Sequence, residues 1–147
     1  MNTFASKAIA LTVLAIDQAH AAQTCNALAL GGGGSRGAYQ AGAIHALMRE
    51  GNPADYAWDV VTGISVGSVN ATGLGMFAPE DGLTMSDFVK TTWDNLQSCN
   101  VYECCAFRRG AFLSIDPLTE FMEDTISNNL DGQFKRKTTI GLTRDID

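Results

Sequence analysis

The order of apolar runs and the residues that interrupt them predict an α/β fold around a mostly parallel sheet. Strand-like and helix-like segments follow one another as β-α-β-α-α-α-β. The first two strands each run into a glycine-rich turn that opens a helix, as crossover connections between parallel strands do. A composition of 46% hydrophobic and 18% charged residues over 147 positions suits a single packed domain.

The N-terminus reads as a secretion signal. Lys7 gives a weakly basic start, Ala8 to Ile16 is a short apolar run, and Ala19-His20-Ala21 supplies a small-x-small cleavage pattern. Residues 1–21 are therefore expected to be removed, leaving the protein in the secretory lumen or outside the cell. That apolar run is far too short to span a bilayer.

Asn26 to Leu30 is an apolar run ended by glycines, which predicts a buried strand. From Gly37 to Arg49, the apolar positions Ala38, Ala41, Ile44, Ala46, Leu47 and Met48 suit a helix that Gly51-Asn52-Pro53 stops. Trp58 to Thr62 is β-rich and leads into Gly63. Val66 to Met76, apolar with small residues, predicts a buried helix. Ser86 is expected to cap a helix through Leu96, with Asp87 favourable in its first turn. Residues 98–113 read as irregular. Asp116-Pro117 opens a further helix with Leu118, Phe121, Met122 and Ile126 on one face, and Asn128 to Gly132 ends it. Thr138 to Thr143 reads as a third strand.

A net charge of −6 disfavours nucleic acid, whose phosphates need a basic surface. Four cysteines, Cys25, Cys99, Cys104 and Cys105, suggest disulfides in a secreted chain without revealing their pairing. A metal site is not expected: there is no CxxC pair, and the only histidine of the mature part, His45, is remote in sequence. The sequon Asn70-Ala71-Thr72 falls in the predicted buried helix and is expected to stay unmodified.

The first turn contains Gly32-x-Gly34-x-x-Gly37 after a run of four glycines. Backbone N–H groups left bare in this way can cradle a nucleotide phosphate or a developing oxyanion. A dinucleotide site wants an acid at the tip of the second strand, where this chain has Thr62-Gly63-Ile64-Ser65. It also lacks the Gly-Lys-Ser/Thr of a P-loop, so no nucleotide is expected and no cofactor is called for. The second turn, Gly63-Ile64-Ser65-Val66-Gly67, is a GxSxG between strand and helix, the context of a nucleophile elbow. Acyl transfer needs both a nucleophile and preorganised N–H donors, and the two turns together supply them. A helix starting at Gly37 puts His45 about 12 Å from its mouth, so a triad histidine is missing and a Ser-Asp dyad is indicated.

Gly32-Gly33-Gly34-Ser35-Arg36-Gly37, followed by Gly63-Ile64-Ser65-Val66-Gly67-Ser68-Val69-Asn70-Ala71, closely resembles the patatin-like phospholipases. The resemblance is strong from Asn26 to Leu74 and looser beyond. It implies a three-layer α/β/α sandwich that hydrolyses acyl esters of phospholipids or neutral lipids at a membrane or lipid surface. It also implies Ser65 as nucleophile, amides around Gly33 and Gly34 as the oxyanion hole, and Arg36 as the loop arginine. The family's base is an Asp in a DG(A/G) motif on a later strand. Asp81-Gly82 and Asp131-Gly132 read as turns at the wrong places, and Asp145 and Asp147 lack the following glycine. The domain is therefore expected to be incomplete before its catalytic Asp, exposing apolar surface meant for missing strands. A catalytically dead lipid-binding fragment is the alternative to an active hydrolase.

Overall fold

A computed structural model of the chain describes residues 25–104, 113–129 and 133–141. The secretion signal, Asp131-Gly132, Asp145 and Asp147 lie outside them. Strand β1 spans Ala27–Leu30, helix α1 Gly37–Glu50, β2 Val60–Ile64, α2 Val66–Gly75 and α3 Gly82–Asn95. A two-residue antiparallel ladder follows, β3 (Glu103–Cys104) with β4 (Leu113–Ser114), then α4 (Asp116–Asn129) and β5 (Lys137–Gly141).

The main sheet has the order β1-β2-β5 and is parallel throughout. Its register sets Leu30 beside Gly63, and Ile64 beside Gly141. Because the order steps in one direction, right-handed crossovers put the helices that follow β1 and β2 on the same face. Leu28, Leu30 and Val61 turn toward that face, where they meet Ala41, Ile44, Met48, Ala71, Leu74, Met85 and Val89. Val61 is fully buried, worth about 1.5–3 kcal/mol. On the opposite face Ala27, Ala29, Lys137 and Thr139 are exposed, and Ile64 is 60% exposed. The described residues thus form the α/β sheet with one helical layer, leaving the other face uncovered.

Two predicted elements shift and one region gains structure. The second strand lies two residues later than Trp58–Thr62: Trp58 N–H closes a turn onto the Tyr56 carbonyl, while Asp59 and Val60 donate to Asn26. Helix α3 starts four residues before Ser86. Gly82 packs on the Met48 sulfur and Met85 is fully buried, so tertiary contact extends the helix past a residue with good capping propensity. Ser86 is buried inside it, donating to the Leu83 carbonyl. The 98–113 region, read as irregular, holds a 3-10 turn at Ser98–Asn100 and the short ladder. Cys25 and Cys99 are exposed free thiols, so the expected disulfides do not form at either.

At the amino end of the sheet, Arg136 is buried immediately before β5. Its guanidinium donates to the carbonyls of Phe77, Trp58 and Ala78. Burial pulls its pKa down, and the charges of Glu80, Asp81 and Asp59 partly restore it. This cation ties three connections together.

Candidate active site

Ser65 is the one residue between β2 and α2, with φ 54 and ψ −130. It is the only non-glycine residue with positive φ among those described. Such a conformation costs about 1–3 kcal/mol and persists only where the surroundings enforce it. A Cβ on Gly63 would run into the Gly67 carbonyl and lie 2.6 Å from the Ser68 nitrogen. A Cβ on Gly67 would run into Leu30 and lie 2.7 Å from the Gly31 oxygen. The two glycines of the GxSxG pattern are therefore required by close backbone approach, within the turn and against β1. Ser68 N–H donates to the Ser65 carbonyl at 2.7 Å, and Ser68 Oγ to the Gly63 carbonyl at 3.0 Å. The result presents the exposed Ser65 hydroxyl at the positive end of α2.

The glycine loop lies against this serine. A Cβ placed on Gly32 would be 3.1 Å from Ser65 Cβ and 3.7 Å from Ser65 Oγ, whereas one on Gly31 or Gly34 would meet nothing. Gly34, at φ 57, lets the chain turn into the 3-10 segment Gly34–Arg36 that precedes α1. Gly33 faces the Arg36 stem: a Cβ placed on it would lie 3.2 Å from Arg36 Cβ and 3.4 Å from Cδ, so that side chain folds back toward the loop. Gly37 is buried against Val66 and Trp93. All the residues singled out in sequence, Gly32, Gly33, Gly34, Arg36, Gly37, Gly63, Ser65 and Gly67, thus meet at one rim.

The carboxylates and the histidine do not join them. His45 Nε2 meets Asp87 Oδ1 at 3.1 Å, and Arg49 pairs with the other oxygen of Asp87, bridging α1 to α3. Asp81 stands at the start of α3. Among the described residues no hydrogen bond reaches Ser65 Oγ. A groove of about 520 Å³ between α3 and α4, floored by Phe88 and Phe121, includes none of the rim residues.

Sequence reasoning assigned no role to three polar side chains behind the loop. Gln40 Nε2 donates to the Gly31 carbonyl at 2.8 Å. Asn70 Nδ2 donates to the Gly37 carbonyl at 3.1 Å and to Gln40 Oε1 at 2.9 Å. Trp93 Nε1 donates to Asn70 Oδ1 at 2.7 Å. The available signal was an amide side chain in an otherwise apolar helix, since a buried polar group must find partners. Asn70 is 1% exposed, which also buries the sequon.

An exposed hydroxyl on a strained strand-to-helix turn, with bare glycine backbone against it, suits attack on a carbonyl followed by stabilisation of the oxyanion. No curated protein and no solved structure matches the chain. The family profile of the patatin-like phospholipases does, over residues 28–145, and it spans both glycine turns, the serine and β5. The chain belongs to the patatin-like phospholipase family.

Proposed function

We propose that this chain carries the nucleophile and oxyanion-binding parts of a lipid acyl hydrolase acting on phospholipid or neutral-lipid esters at a membrane or lipid surface. Ser65 Oγ attacks the ester carbonyl, its proton passing to a carboxylate, as the family resemblance implies. The oxyanion is held by loop amides around Gly33 and Gly34, beside Gly32 and under Arg36. Collapse expels the alcohol and leaves an acyl-serine, which water hydrolyses. No cofactor enters this scheme. The observation that carries it is the strained φ of Ser65 next to Gly32. The signal-like residues 1–21 support a secreted or luminal location, which N-terminal sequencing of the expressed protein tests by a start after Ala21.

A fluorophosphonate probe is expected to label Ser65 and to lose that label in Ser65→Ala. Label that survives the substitution would refute the assignment. Liposome binding without ester turnover or labelling would favour the lipid-binding alternative.

A further inference from the structure

We infer that Gln40 and Asn70 are positioning residues that set the glycine loop against Ser65, through a relay of side-chain amides that starts on the serine's own helix. The inference rests on the acyl-transfer reading of that site. Residues 31–37 are held at both ends: Gln40 grips the Gly31 carbonyl and Asn70 the Gly37 carbonyl. Asn70 spends its second amide hydrogen on Gln40, so one side chain governs both anchors. The Trp93 indole fixes Asn70 in turn, and its ring closes over the helix start, its Cη2 2.8 Å from where a Gly37 Cβ would lie.

The consequence follows from peptide planarity. The Gly31 carbonyl and the Gly32 N–H belong to one rigid unit, so holding the oxygen decides where that N–H points. Gly32 is the loop position that abuts Ser65. Asn70 lies on α2, the helix that Ser65 immediately precedes, so loop and nucleophile share one reference frame. Preorganised donors are what an oxyanion site needs, because reorienting them during the reaction would consume the stabilisation they give.

The test uses the full 147-residue chain. Gln40→Met keeps the length of the side chain and removes its donor. It is expected to raise amide hydrogen exchange across 31–37 about tenfold and to slow saturating fluorophosphonate labelling of Ser65 about tenfold. The half-saturating probe concentration should stay at its wild-type value, a split that a purely structural role would not produce. Should Gln40→Met fold poorly, Gln40→Glu carries the same expectation, since its ionised carboxylate accepts from Asn70 but cannot donate to Gly31. Trp93→Phe, which keeps the ring, should shift both readouts in the same direction by a smaller factor. Wild-type exchange and wild-type labelling in the Gln40 variants would overturn the relay while leaving the acyl-transfer reading intact. If the wild-type chain takes no probe at Ser65, exchange across 31–37 alone decides the relay.

Discussion

At the carboxyl end of the main sheet, glycine backbone is left bare and Ser65 is held at φ 54, its side chain open to solvent. At the amino end, buried Arg136, itself on the connection into β5, gives its hydrogens to three carbonyls from two other connections. The same short strands join the two ends. The contrast shows how a marginally stable domain keeps a strained turn. Strain at one rim is tolerable where the opposite rim is fully satisfied and the strands between are packed, because the turn cannot relax without moving them.

Four substitutions test that division. The largest effect is expected from Arg136→Met, which leaves the carbonyls of Phe77, Trp58 and Ala78 without their donor. Urea unfolding should show a loss of about 3–4 kcal/mol, with Ser65 still reactive in whatever fraction remains folded. Gly63→Ala attacks the other rim. Its methyl would enter the Gly67 carbonyl, so a loss of about 2–3 kcal/mol is expected together with loss of Ser65 labelling. If this variant keeps both stability and labelling, close approach does not hold the elbow. Ser65→Gly separates strain from chemistry: labelling disappears while stability rises by about 1 kcal/mol, because glycine accepts the positive φ. A neutral or destabilising result would mean the turn stores no strain.

The smallest effect is expected from Asp87→Asn, on the exposed bridge from α1 to α3. The hydrogen bond from Arg49 holds the Asp87 carboxyl below its ordinary pKa, with weaker help from His45. Whatever the bridge contributes is therefore present above the unfolded-state pKa and lost as pH falls through the lower folded-state value. Thermal melts of the two proteins should differ slightly at neutral pH, converge in acid, and converge with added salt as well.

Much of the rim was legible in the sequence because glycine punctuates it. Gly63 and Gly67 flank Ser65, and the four-glycine run ends β1, so turn chemistry located both bends. The features that were not legible are set by neighbours distant in the chain. Ser86 has the propensity of a cap, yet packing of Gly82 and Met85 begins the helix earlier. Arg136 stands in the basic run Lys135-Arg136-Lys137, where nothing local separates a buried guanidinium from a solvated one. Gln40 likewise resembles any polar residue on a helix until α2 brings Asn70 against it. The order β1-β2-β5 with all crossovers on one face also required the strands to be paired before it could be seen.

The strand that leads into Ser65 is the middle one of the three described, so the hydroxyl has a neighbour on either flank. On one flank β1 delivers uncovered amides; on the other, β5 finishes level with Ile64 through Gly141. The hydroxyl thus stands between two chain segments that arrive in the same direction on its two sides. On the function proposed above, the electron-rich oxygen of an ester would settle toward the first, an approach that the position of β2 between two strands leaves open.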